Sequence, residues 1–343
     1  MRIISSFVVA AALAVSSVGL TAQSKEFLPL TPMDRIQIQQ LIARYAYALD
    51  TGGRNGYDYA DLFAPDGVFV GMNQGETGRL FRGRDTLAAL ARGGPRNQNY
   101  VSHYITNVIL EATPEGARGT QYAFIGDVSL PGGKSVWTNG GMYRDTYVKT
   151  PDGWRFKTRA FYASEGGPTP KQLQNDPLKA PAAPAAAPGT PAPPPVPKAT
   201  GLRNLTAEDY IAIQQLVYTY PYALDTAVNN GFDYADNFAP DGEFIRPPTK
   251  GRDNLAKLAI DQPHGPNFVR HYLTNIVIEP TADGAIGKQY LVVLDIGAAG
   301  TPGTIFLGGH YEDVYSKTDA GWKFKRREFI PSRKAAAASA AVQ

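Results

Sequence analysis

The strongest constraint on this chain is that it contains its own pattern twice. Thr31 and Thr206 open two matching stretches at an offset of 175 residues. At that offset IQQL (38–41) meets IQQL (213–216), and YAYALDT (45–51) meets YPYALDT (220–226). DYAD (58–61) meets DYAD (233–236), and FAPDG (63–67) meets FAPDG (238–242). The second copy lacks seven residues around Gly75–Leu80, and from there the offset is 168. GRD (83–85) then meets GRD (251–253), HYITN (103–107) meets HYLTN (271–275), and GWRFKTRAF (153–161) meets GWKFKRREF (321–329). A solenoid needs at least about three repeats to bury a continuous core. Each half is therefore expected to carry its own, and 343 residues suits two domains.

Residues 28–167 and 201–333 form the two expected domains. Between them, residues 168–200 hold eleven prolines with alanine filling much of the rest. Proline fixes φ and removes a backbone donor, so the stretch reads as an extended spacer rising about 3.1 Å per residue and making few contacts. Residues 334–343 are an Ala-rich tail. At the other end Arg2 precedes an uncharged apolar run, Ile3–Leu20, and Leu20-Thr21-Ala22 offers small residues before the polar Ser24-Lys25-Glu26. That is the order of a secretory signal peptide over residues 1–22, giving an exported, periplasmic or secreted protein. A membrane anchor is the other reading, near the lower length limit for a span.

Composition narrows the chemistry. A net charge of +3 argues neither for nucleic acid nor for an acidic membrane as partner. With no cysteine, disulfides, thiolate metal sites and cysteine nucleophiles are excluded. The four histidines are His103, His264, His271 and His310. His264 lies in a Pro-Gly loop. His310 stands opposite Met142 in the repeat, so the second pocket is expected to hold an additional imidazole.

Thr31-Pro32-Met33-Asp34 is a cap followed by proline, and Ile38, Leu41, Ile42, Tyr45 and Leu49 recur at helical spacing. These residues predict a helix over 34–49, ended by Gly52-Gly53. Further helices are expected at 57–63 and 86–92, with a turn at 64–67 and a short strand at 68–70. Longer strands follow at 103–111, 120–128, 137–148 and 154–162, turned at Pro114-Glu-Gly and Pro151-Asp-Gly. Helices followed by a run of antiparallel strands give an α+β fold, a curved sheet with helices packed on it. Asp58, Asp61, Asp66 and Asp85 read as caps and turn residues, and Arg84 and Arg252 as ion-pair partners.

A first helix with Tyr-x4-Asp, then DYxDxFAPDG, GRD, a strand opening with His, a GGxYxD strand and a final GWxF strand resembles the SnoaL-like branch of the nuclear-transport-factor-2-like superfamily. The resemblance covers both halves and implies two tandem cone-shaped α+β barrels, each with one deep pocket. Within that superfamily the chain is most similar to scytalone dehydratase and bile acid 7α-dehydratase. The resemblance implies site residues Tyr45, Asp50, His103 and Asp127 in the first half, and Tyr220, Asp225, His271 and Asp295 in the second.

The residues themselves allow that chemistry. Gln121, Ala123, Ile125 and Asp127 share one face at period two, as do Gln289, Leu291, Val293 and Asp295. A carboxylate on an apolar face needs a partner, and His103 or His271 on the preceding strand is the expected one. Such a pair fixes the imidazole tautomer and makes a general base. Tyr45 and Tyr220 would donate, and Asp50 and Asp225 would add carboxylates at the mouth. Equally, the tyrosines fit as core and Asp50 and Asp225 as helix-end residues. No phosphate loop, dinucleotide fingerprint or Ser-hydrolase elbow is present, and the His spacing supports no metal. The expectation is a lyase or dehydratase needing no cofactor, acting on a hydrophobic cyclic or aromatic molecule. An isomerase or deformylating lyase would use the same pocket, and a non-catalytic binding or assembly module is the rival. The halves are expected to pair within the chain or between copies. N-terminal sequencing of exported protein should begin near Gln23, whereas an intact Met1 on membranes would favour the anchor.

Overall fold

The computed structural model describes residues 29–72, 78–92, 101–128, 135–163, 174, 176–185, 193–194, 199–262, 269–295 and 302–332. The signal-peptide segment, His264 and the Ala-rich tail lie outside them. The first half runs α1 (Pro32–Thr51), α2 (Tyr57–Ala60), β1 (Phe63–Met72), β2 (Arg79–Arg82), α3 (Arg84–Arg92), β3 (Val101–Thr113), β4 (Gly116–Asp127), β5 (Val136–Thr150) and β6 (Gly153–Ala163). The second repeats it as α4 (Ala207–Thr226), α5 (Phe232–Ala235), β7 (Phe238–Phe244), β8 (Thr249–Lys250), α6 (Arg252–Asp261), β9 (Val269–Pro280), β10 (Ala285–Asp295), β11 (Thr304–Thr318) and β12 (Gly321–Pro331). The sheets have the orders β2-β1-β6-β5-β4-β3 and β8-β7-β12-β11-β10-β9. The α+β class is as expected. The antiparallel expectation needs one amendment, because β1 runs parallel to β6 and β7 to β12.

Each leading helix is set by its cap. Thr31 accepts from the Asp34 amide at 3.1 Å, Asp34 accepts from the Thr31 amide at 3.2 Å, and Pro32 fills the first turn. Gly52 ends α1 at φ 62°, a left-handed position that suits glycine. Asp34 also fastens the helix to the sheet, accepting from Trp154 Nε1 at 3.0 Å and Lys149 Nζ at 2.7 Å. Asp209 does the same with Trp322 at 2.9 Å and Lys317 at 2.8 Å.

Several segments differ from the sequence reading. The 57–63 helix stops at Ala60, and β1 begins at Phe63, so the expected turn at 64–67 lies inside a strand with a register shift before Val68. β2 was not foreseen. The Pro-rich spacer is not free: the Leu80 amide donates to the Pro181 carbonyl at 3.0 Å and the Ala183 amide to Leu80 at 2.6 Å. An edge strand offers unpaired backbone groups, and a proline carbonyl still accepts. Farther on, Arg84 and Arg54 donate to the carbonyls of Pro193 and Pro194.

The cores are not separate either. Tyr290, Val292 and Ile305 of the second half belong to the buried cluster of the first. Gln40 on α1 reads the free edge of β9, donating to Ile276 O at 3.0 Å and accepting from the Ile278 amide at 2.7 Å. Asn275 returns the contact, accepting from the Ile105 amide at 3.0 Å and donating to His103 O at 2.9 Å.

Burial alone would raise the Asp209 carboxyl, but hydrogen bonds from Lys317, Trp322 and the Thr206 amide lower it from 3.8 to about 2. A depressed carboxyl stabilises the fold above its unfolded value and loses that contribution as pH falls through the folded one. Asp209→Asn is therefore expected to flatten the acid loss of stability between about pH 3.8 and about pH 2. Urea midpoints measured across that window, for wild type and variant, check it.

Candidate active site

Asp50 closes the last turn of α1 and faces the start of β3. Its Oδ2 accepts from the His103 amide at 2.9 Å, and its Oδ1 pairs with His103 Nδ1. In the second half Asp225 Oδ2 accepts from the His271 amide at 3.1 Å, and Oδ1 lies 2.5 Å from His271 Nδ1. Two contacts to one residue hold each carboxylate against both backbone and ring. They place the imidazole proton on Nδ1 and leave Nε2 with its lone pair.

The expected partners, Asp127 and Asp295, are not those bound at Nδ1. His103 stands opposite Ile125, whereas Asp127 stands opposite Val101, one step farther along the same face. His271 likewise faces Val293, and Asp295 faces Val269.

The halves differ at this pair. In the first, Tyr290 of the second half donates its hydroxyl to Asp50 Oδ2 at 2.8 Å. The side chains of His103 and Asp50 are only 5% and 3% exposed, against 16% and 7% for His271 and Asp225.

Deeper in each half sits a wholly buried ion pair. Arg159 Nη1 donates to Asp145 Oδ2 at 2.8 Å, with the Tyr147 hydroxyl on the same oxygen at 2.8 Å and Gln121 beside them. The Arg159 guanidinium lies 3.8 Å from the Tyr45 ring and 3.7 Å from the Tyr143 ring. Burial pushes the Asp145 carboxyl up, while Arg159 pulls it back. Arg327, Asp313, Gln289, Tyr315, Tyr220 and Tyr311 repeat the arrangement.

A family model for the SnoaL-like domain matches residues 33–160 and again 205–328. The chain belongs to the SnoaL-like domain family. Similar solved structures include an NTF2-like protein with a cystatin-like fold from Novosphingobium aromaticivorans, at 22% identity and TM-score 0.36, covering 42% of this chain and 90% of that one. A putative scytalone dehydratase from the same organism is 27% identical at TM-score 0.30, covering 38% of this chain and 94% of that one. A search of the curated proteins returned no match.

In these SnoaL-like halves Tyr45 and Tyr220 are core residues, not donors to the histidine. The Tyr45 hydroxyl donates to that of Tyr143 at 3.4 Å, and the Tyr220 and Tyr234 hydroxyls lie 3.3 Å apart. Burial raises both phenols well above their ordinary value. The deep pocket implied by the resemblance is occupied at this level by the arginine and its rings. Among the described residues a cavity of about 510 Å³ lies on the first-half sheet near Arg144 and Leu178, and an interdomain groove of about 1890 Å³ lies beside Arg44 and Lys288. Neither is lined by His103, Asp50, His271 or Asp225. His310 lines neither of these cavities. Tyr311, Asp313 and Tyr315 point inward, so His310 and Glu312 point outward, 3.7 Å apart. Arg84 and Arg252 pair with Asp61 and Asp236 as expected. Among the described residues no group of three His, Asp or Glu converges as a metal site.

Arg159→Leu leaves Asp145 charged and unpaired, and should cost about 3–5 kcal/mol in denaturant unfolding. Tyr290→Phe removes one hydrogen bond to a carboxylate, and should cost about 1.5–3 kcal/mol in the same measurement.

Proposed function

We propose that this protein is an exported lyase of dehydratase type, needing no cofactor and acting on a hydrophobic cyclic or aromatic small molecule. The chemistry is assigned to the Asp225–His271 pair. One observation carries the reading: Asp225 binds Nδ1 while the His271 side chain keeps partial exposure, and Nε2 is assigned as the base that a substrate approaches. The export part is supported by the apolar run Ile3–Leu20 behind Arg2.

The proton balance closes on one imidazole. Nε2 of His271 takes a proton from a carbon acidified by a neighbouring carbonyl. The carbon–oxygen bond breaks as the double bond forms, and the imidazolium returns its proton to the departing hydroxyl, which leaves as water. Asp225 stabilises the transient imidazolium and fixes its orientation. Asp295, one step along the same face, is assigned the orienting of the substrate hydroxyl in this scheme. The first-half pair, sealed by Tyr290, serves as a structural tie in this scheme.

A second reading, a binding or assembly module, is favoured by the absence of either pair from the two large cavities. A thermal-shift screen of cyclic and aromatic compounds supplies a ligand, since binding raises stability by mass action. His271→Ala should then lower turnover by about 10²–10⁴-fold with the fold retained, while His103→Ala should keep turnover and lose stability. Unchanged turnover in His271→Ala rejects the mechanism. Binding without turnover by wild type puts the module reading first.

A further inference from the structure

We propose that a second copy of this chain docks its first-half sheet onto α4, and that its Tyr122 completes the Asp225–His271 pair. The template is the contact already present inside the chain. There α1 and the start of β3 rest on the outer face of β9 and β10. Two different surfaces meet, a helix surface from one half and a sheet surface from the other. Because the halves are repeats, one copy of each surface is left without a partner half: the sheet surface of the first half, walled on one side by the spacer at Asp176–Leu178, and the helix surface of the second.

The leftover surfaces carry the same residues at three of the positions compared and other apolar or aromatic residues at the rest, here exposed. Tyr290 is 5% exposed, and its repeat counterpart Tyr122 is 57% exposed. Val277 is buried, and its counterpart Ile109 is 61% exposed. On the helices, Ile36 and Ala43 are buried, whereas Ile211 and Tyr218 are exposed. Tyr47 stacks 4.3 Å from Tyr290, whereas its counterpart Tyr222 is 76% exposed. Isolated apolar residues on a surface need no explanation, but two faces that repeat much of a buried interface do.

The polar groups match as well. Gln215 occupies the place of Gln40, and the repeat equivalents of its acceptor and donor are Val108 O and the Leu110 amide. Asn107 occupies the place of Asn275 with the same left-handed backbone, φ 56° against 55°. Its targets would be the Leu273 amide and His271 O, as Asn275 holds Ile105 and His103. Tyr122 would then donate to Asp225 Oδ2, as Tyr290 donates to Asp50 Oδ2 at 2.8 Å. The same docking covers the rim at which His271 meets solvent. Access to the site is thereby linked to self-association, a point that rests on the lyase reading; the contact itself does not.

A contact between unlike surfaces has a distinctive test. Tyr122→Asp spoils only the sheet surface, and Tyr222→Asp only the helix surface. Both residues are exposed, so both full-length variants should fold, as circular dichroism and thermal melts will show. Ile109→Lys and Ile211→Lys repeat the test at neighbouring positions. By sedimentation velocity, wild type should associate as concentration rises. Each variant alone should associate at least about thirtyfold more weakly. An equimolar mixture should restore a heterodimer that grows no further, because it has one intact surface of each kind. Monomeric wild type at every concentration, a variant that associates like wild type, or a mixture that stays monomeric overturns the proposal.

Discussion

At the centre of each half a guanidinium is held entirely away from water. Arg159 and Arg327 are each tied to one carboxylate and enclosed by aromatic rings. A charge taken out of water is costly unless its surroundings replace that water. The tyrosines are therefore committed to facing the cation, and α1 and α4 must present them at one depth. Gln121 and Gln289 must likewise reach the carboxylate from the next strand. Once this cluster occupies the interior, reactive groups have room only at the rim. That is where the helix ends bring Asp50 and Asp225 against the histidines.

The rim is also where the halves meet, and they meet unequally. Tyr290 reaches Asp50 across the interface, and Val128 seats on Gly308, where an added Cβ would lie 2.3 Å from the valine Cβ. Two sites with the same dyad thus have different surroundings, one sealed and one partly exposed. Duplication supplied identical chemistry, and docking made the copies different.

Much of this was legible in the sequence because the repeat allowed each feature to be read twice. The capped first helix, the four long strands and the two hairpin turns sit close to where periodicity puts them. The buried arginine was not legible, for a specific reason. Period two groups Arg159 with Arg155 and Lys157 on the outer side of β6. A bulge at Lys157 breaks the count, pairing Phe156 with Tyr147 and Arg159 with Asp145 on the same inner face. The contact of Asp50 with His103 Nδ1 joins a helix end to a strand start, a juxtaposition that period-two patterning within the sheet does not contain. Tyr290 had no signal at all, since Tyr122 is the same residue in the same motif and stays exposed. Its role depends on docking, which local sequence does not encode.

The spacer laid along β2 has a consequence for how the halves find each other. Prolines 193 and 194 are held by Arg84 and Arg54, so only about ten residues remain before Leu205 opens the second half. A tether that short keeps the two surfaces at an effective concentration on the order of millimolar. Inside the chain, a contact of ordinary strength is therefore saturated at any dilution. Between chains, the same contact has no tether and must respond to how much protein is present. One pattern of residues can thus act as a permanent joint in one place and as a concentration gauge in the other.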